Sequence, residues 1–152
     1  MAEKLQFELV SPEKLLLSEQ VAMVVVPGGE GNFGVLPGHS LLISTVRPGV
    51  IDVYADEPSA VTERIFVAGG FAEVTPERCT VLADEALPIA ALDRADIEQQ
   101  QKTHEASVAS LKEQVTRLQG TDRDQAAVTL RAAERRLAVA MAKLAALQAT
   151  AH

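Results

Sequence analysis

Gly29, Gly31 and Gly34 stand at the spacing G-x-G-x-x-G, a pattern that elsewhere cradles the pyrophosphate of a dinucleotide. That chemistry requires the last glycine to open a helix whose N-terminus receives the phosphates. Here Val35, Leu36, Pro37 and Gly38 follow, which cannot begin a helix, and a β-rich run over residues 41–46 comes next. No Gly-Lys-Ser/Thr closes the loop in the manner of a Walker motif. A turn joining two strands is therefore the expectation. The remaining reactive side chains are scattered. His39, His104 and His152 share no Cys/His/carboxylate spacing that would hold a metal, and no G-x-S-x-G elbow is present. The sequence predicts no catalytic residue, no metal site and no cofactor.

Five of the nine glycines, Gly28, Gly29, Gly31, Gly34 and Gly38, fall within GGEGNFGVLPGH at residues 28–39. Glycine permits positive φ and close backbone approach, so this density marks a shaped loop between the apolar runs 21–26 and 41–46. A loop shaped at such entropic cost is kept for contact. Around it, Leu5, Phe7 and Leu9 alternate with Gln6 and Glu8, the pattern of a strand with one buried face. After the Ser11-Pro12 turn, further strands are expected over residues 14–18, 21–26, 33–36, 41–46, 50–54, 62–68, 71–75 and 78–82. The run 21–26 is apolar almost throughout and reads as a strand covered on both faces. Gly69-Gly70 reads as a tight turn in preference to a bulge or a close backbone approach.

Near residue 90 the chain changes character. All seven prolines lie at or before Pro88 and all five aromatic residues at or before Phe71, and only Gly120 among the glycines lies beyond Gly70. Short β-branched runs cut by turns predict a sandwich or barrel over residues 1–90. Over residues 91–152 the period becomes helical. Ile97, His104, Val108, Leu111, Val115 and Leu118 form a stripe, with Asp93 as N-cap and Asp96 in the capping-box position. His104 is expected to be packed in that stripe. Gly120 is expected to end the first helix and Thr121 or Asp122 to cap the second. In the second helix Leu130, Leu137 and Leu144 recur every seven residues, with Ala133, Ala140, Met141 and Leu147 between them. A connection of a few residues makes the two helices antiparallel.

The net charge of −7 is uneven: residues 1–90 carry 13 acids and 5 bases, residues 91–152 carry 8 acids and 9 bases. An acidic half argues against nucleic acid as partner. No apolar run approaches the roughly 20 residues that span a bilayer, and MAEKLQFELV lacks the apolar block of a signal peptide. The expectation is a chain kept in the cytoplasm, reaching a membrane through a partner and without direct insertion. The single cysteine, Cys79, cannot form an internal disulfide and is expected to be a buried thiol.

GEGNFGVLPGH, followed by a β run and Arg47-Pro48-Gly49, resembles the signature of the ATP synthase epsilon subunit. FVAGGFAEV at residues 66–74 and TVLADEA at residues 80–86 resemble the second and third blocks of that family, in the same order. The resemblance implies a ten-stranded antiparallel β-sandwich followed by a two-helix hairpin. It also implies a non-catalytic rotor subunit of the central stalk that couples the catalytic head through gamma to the c-ring. The protein would then be peripheral, on the cytoplasmic face of the inner membrane. Two other readings stand beside it. One is a free β-sandwich binding module oligomerising through its helices; the other is a nucleotide-dependent oxidoreductase, which the missing helix disfavours.

The resemblance also implies sites. Glu30, Gly31, Asn32, Phe33 and His39 match positions that face the polar loops of the c-ring, with Asn32 in place of the commoner acid. Arg123, Arg131, Arg135, Arg136 and Lys143 match bases that an extended C-terminal helix sets against an acidic segment of the beta subunit to inhibit hydrolysis. Some bacterial members bind nucleotide through Ile/Leu-Asp-x-x-Arg-Ala. Leu92 and Asp93 match its opening, but Asp96 and Ile97 stand where Arg-Ala belongs. Arg94-Ala95 comes two residues early, a rotation of about 200° on a helix, so no nucleotide binding is expected.

Overall fold

Alternation in the sequence becomes alternation in space. In β1 (Leu5–Val10), Leu5, Phe7 and Leu9 are buried while Gln6, Glu8 and Val10 are half-buried on the opposite face. The computed structural model describes residues 3–149, so His152 lies outside the described residues. Next come β2 (Leu15–Val21), β3 (Met23–Gly28), β4 (Gly31–Val35), β5 (Leu42–Val46), β6 (Gly49–Tyr54), β7 (Glu63–Val67), β8 (Gly70–Val74), β9 (Arg78–Ala83) and β10 (Ala86–Pro88). A 3-10 turn, Ile89–Ala91, precedes α1 (Arg94–Arg117) and α2 (Gly120–Ala149). Contacts divide the chain into two compact units, one ending at Ala91 and the other beginning at Leu92.

The strands hydrogen-bond in the order β10-β7-β6-β3-β5-β8-β9-β1-β2, with β4 on β3. β3 pairs with β6 over Met23, Val24 and Val25 but with β5 only at Gly28↔Val46. The sheet turns over at that narrow join. Its two ends meet again, since Leu9, Leu16 and Leu17 line the same apolar cleft as Ile65, Ala86 and Leu87. The sandwich core is one cluster that joins Val24, Val26, Ile51 and Val53 to Leu5, Phe7, Val74, Cys79 and Val81. All pairings are antiparallel except β1 with β9, which is parallel.

Several expectations change. β2 runs on to Val21 rather than stopping at Ser18, because Gln20 and Ser18 hydrogen-bond Gln6 on the adjacent strand; the break falls at Ala22. β3 is fully buried on one face, at Val24 and Val26, and less completely covered on the other, where Met23 and Val25 are half-buried and Pro27 is buried. Gly69-Gly70 is no hairpin turn, since β7 pairs with β6 and β10 while β8 pairs with β5 and β9. Gly70 has φ +143°, and a Cβ there would lie inside the contact radius of the Leu82 carbonyl oxygen. It is a close backbone approach, where the chain crosses between layers. β10, three residues ending in proline, had no readable pattern and is defined by Ala86↔Val67.

Asp93 caps α1, its Oδ1 accepting from the N–H groups of Ala95 at 3.0 Å and Asp96 at 3.4 Å. Asp96 does not complete a capping box; its Oδ2 accepts from Gln100 Nε2, one turn onward. α1 ends before Gly120. Leu118 is an extended C-cap and not part of the stripe, while Gly120 opens α2, so Thr121 and Asp122 lie inside the first turn of α2 and not at its cap. The seam of α2 keeps its expected alanines and leucines but not Met141. Ala126, Ala133 and Ala140, seven apart, are buried, whereas Leu130, Leu137 and Leu144 flank them and Met141 is exposed. Alanine allows the helix axes to approach closely. Residues near the start of α1 and the end of α2, Gln101 and Leu144 among them, line one cleft, as antiparallel packing requires.

Candidate functional site

The glycine-rich segment forms a tight hairpin. Gly28↔Gly31 closes the β3–β4 register, so Gly29 and Glu30 make the turn, and Gly31 has φ +143°, a left-handed conformation that glycine adopts without strain. Gly31 and Gly34, the later glycines of the fingerprint, lie in β4, so no helix N-terminus follows them. The hairpin is tied to β5 and the β5–β6 connection by four hydrogen bonds. Gly29 N–H donates to Thr45 O and Arg47 N–H to Pro27 O, each at 2.9 Å. Arg47 Nη2 donates to Asn32 Oδ1 at 2.6 Å and Nη1 to the Gly28 carbonyl.

Glu30, Gly31 and Asn32 are exposed at this end, and Phe33 is half-buried against the core. His39 does not join them. It lies past the far end of β4, a strand of five residues, or roughly 16 Å at the usual rise. There Gly38 N–H donates to Pro76 O at 2.7 Å, and His39 Nδ1 contacts its neighbour Ser40 O at 2.7 Å. Arg47 was not singled out as a site residue from the sequence. Its place beside Pro48-Gly49, immediately after a strand facing the glycine loop, was the available signal.

A second surface lies on the outer sheet face. The registers Thr45↔Phe71, Phe71↔Leu82 and Leu82↔Val10 set these residues in a row across β5, β8, β9 and β1. Ile43 is 78% exposed, Phe71 58% and Leu82 45%, and together with Val10 they line one shallow cleft. Leu41, 77% exposed, lies beside β5. On the same face an Arg78–Glu8 ion pair at 3.1 Å gives β9 and β1 a polar end. The alternation that buries Cys79, Val81 and Ala83 necessarily turns Leu82 outward. A contiguous apolar face of this kind is a candidate contact surface.

In the helical unit Arg123, Arg131, Arg135 and Arg136 are exposed and Lys143 is half-buried. Arg131 and Arg135 stand four apart, on the side of α2 away from Ala133 and Ala140, whereas Arg136 turns about 100° from Arg135. The five bases therefore do not share one face. Near the α1 start a cleft of about 400 Å³ is lined by Arg94, Glu98, Gln101, Lys102, Glu105, Leu144 and Gln148. Its two bases are matched by two acids, and Leu92 and Asp93 do not line it. Among the described residues no group of three His, Cys, Asp or Glu side chains converges. Burial pushes the Cys79 thiol up to about 12, and burial together with nearby Glu63 raises the Glu19 carboxyl.

Residues 4–89 match a family model described as the beta-sandwich domain of the ATP synthase Delta/Epsilon chain. The ATP synthase epsilon chain of Rhodospirillum centenum is 55% identical over 145 residues, 95% of this chain and 92% of that one. That of Rhodospirillum rubrum is 65% identical over 92 residues, 60% of this chain and 67% of the relative. In fold, the chain is similar to one in the Euglena gracilis mitochondrial ATP synthase structure, OSCP/F1/c-ring in rotational state 1, with a TM-score of 0.67 at 21% identity, covering 98% of this chain and 82% of that one. The chain belongs to the ATP synthase epsilon chain family.

Proposed function

We propose that the two exposed surfaces of the sandwich hold two different neighbours: the apolar face Ile43, Phe71 and Leu82 seats gamma, and the hairpin tip at Glu30 meets the polar loops of the c-ring. An epsilon chain is a non-catalytic subunit of the ATP synthase central stalk, so coupling is its task. Coupling by one small body needs two contacts of different character. The apolar face suits a lasting protein partner, and the charged, glycine-shaped tip suits polar loops. The observation that carries this reading is the apolar row across four strands, which no part of the sandwich covers.

The chain is part of the membrane-associated ATP synthase, and among the described residues no helix is long and apolar enough to cross a membrane. In this proposal it sits on the cytoplasmic face of the inner membrane, held there through its partners. The division at residue 90 separates coupling in residues 1–90 from regulation in residues 91–152. Arg131 and Arg135, pointing away from the seam, are the bases best placed to meet an acidic segment of beta; Arg123, Arg136 and Lys143 flank them.

Two substitutions test the assignment on the reassembled enzyme. Ile43→Arg should abolish recovery of this chain with gamma. Glu30→Lys should leave gamma recovery intact and release the catalytic head from membranes at lower salt. Retention of gamma by Ile43→Arg, or an unchanged salt wash for Glu30→Lys, would overturn the corresponding surface. Reversing Arg131 and Arg135 to glutamate should raise ATP hydrolysis by the whole enzyme, and an unchanged rate places inhibition elsewhere.

A further inference from the structure

We infer that Arg47 is a positioning residue for the hairpin tip, and that Asn32 is its anchor rather than a partner contact. The inference rests on the docking role proposed above for Glu30. The Arg47 guanidinium reaches from the β5–β6 connection to both strands of the hairpin, to the Gly28 carbonyl on β3 and to Asn32 Oδ1 on β4. Its own N–H holds Pro27 O, one residue before Gly28. One side chain thus spans the base of a two-residue turn. A planar guanidinium presents its donors as a fixed fork that meets two acceptors side by side, whereas an ammonium meets them as a point charge.

The consequence concerns which groups are left for a neighbour. The Asn32 side-chain oxygen is engaged by Arg47, and Phe33 packs against the core, so Glu30 is the only ionised side chain between Gly28 and Leu36 and stands alone at the tip. Asparagine at this position gives a neutral acceptor that matches the fork without adding a second negative charge beside Glu30. An aspartate would serve the same strut with a charge-assisted bond.

The test compares Arg47→Ala, Arg47→Lys, Asn32→Asp and Glu30→Gln by amide exchange of Gly31 and Asn32 in the full chain and by salt-wash retention of the catalytic head in the reassembled enzyme. Arg47→Ala and Arg47→Lys should each speed exchange at the tip about tenfold, the scale of losing a hydrogen bond to a charged group, and both should weaken retention. Asn32→Asp should preserve both readouts. Glu30→Gln should weaken retention without changing exchange. Unchanged tip exchange in Arg47→Ala, or full retention in Arg47→Lys beside a loss in Glu30→Gln, overturns the strut, because charge alone would then suffice. Full retention in Glu30→Gln overturns the docking role itself, whatever the Arg47 variants do.

Discussion

The sandwich buries Phe7, Phe66, Leu5 and Ile51 completely, whereas the largest buried side chains of the helical unit are Ile97 and Val108, and its seam is Ala126, Ala133 and Ala140. At roughly 25 cal/mol per Å² of apolar surface, alanine contacts add little each. The two units are therefore held by different means. Strand register and a packed core fix the sandwich, so a surface built on it keeps its shape under load. The hairpin depends on close approach of two helices over a narrow stripe, which costs less to separate.

The comparison breaks most visibly at Phe7. Phe7→Ala removes a wholly buried ring from β1, and should lower sandwich stability by about 3–5 kcal/mol, read as a drop in its unfolding midpoint. Ala133→Leu tests the other unit. A larger side chain at this buried point of the seam should cost about 1–3 kcal/mol by overpacking, and the loss should appear as faster amide exchange in α1 and α2 with β-sandwich exchange unchanged. Equal loss of protection in both units would mean that they do not differ in the way described.

The contrast was only partly legible in the sequence. Period-2 alternation in β1, β6 and β9 and the helical period beyond Asp93 are local signals, and they placed those elements within a residue or two. Gly69-Gly70 was misread because a tight turn and a close approach need the same residue; only the partner strand, with its Leu82 carbonyl, distinguishes them. In the α2 seam, Ala133 and Ala140 are legible in the sequence and are buried, while Met141 is exposed and Ala126 carries no signal that sets it apart. Heptad spacing marks which positions face the partner helix, but not how deeply each is buried. At the site, the glycine loop was visible as a shaped contact, but the separation of His39 from Glu30 depends on where β4 ends. The role of Arg47 depends on two acceptors 15 and 19 residues away from it in the chain.

Titration sharpens the comparison from within the sandwich. Cys79 lies wholly buried in β9, and burial raises its thiol from the ordinary 9.0 to about 12. In the folded chain the thiol stays protonated while in the unfolded chain it ionises from about pH 9, so its contribution is intact below that value and lost as pH rises towards 12. The loss should be on the order of 1 kcal/mol at pH 10. Cys79→Ala should lack that slope, and the difference between the two proteins in chemical denaturation at pH 8 and pH 10 measures it. An identical slope in both would mean that water reaches β9.

The smallest effect expected is at the rim where the two ends of the sheet meet. Glu19 on β2 is held above the usual carboxylate range first by burial and then by Glu63 on β7, although β2 and β7 are not hydrogen-bonded neighbours. A raised carboxyl favours the folded state while it keeps its proton, and that contribution fades as pH rises from about 4.5 through the folded value. Once Glu19 has lost its proton, its charge is opposed by the nearby Glu63 across the closing edge. Glu63→Gln removes the repulsion and should raise the unfolding midpoint slightly at pH 7. At pH 3, where Glu19 keeps its proton, the same substitution should change nothing. A gain of equal size at both pH values would trace the effect to packing of the amide in the apolar cleft beside Ile65, and not to charge.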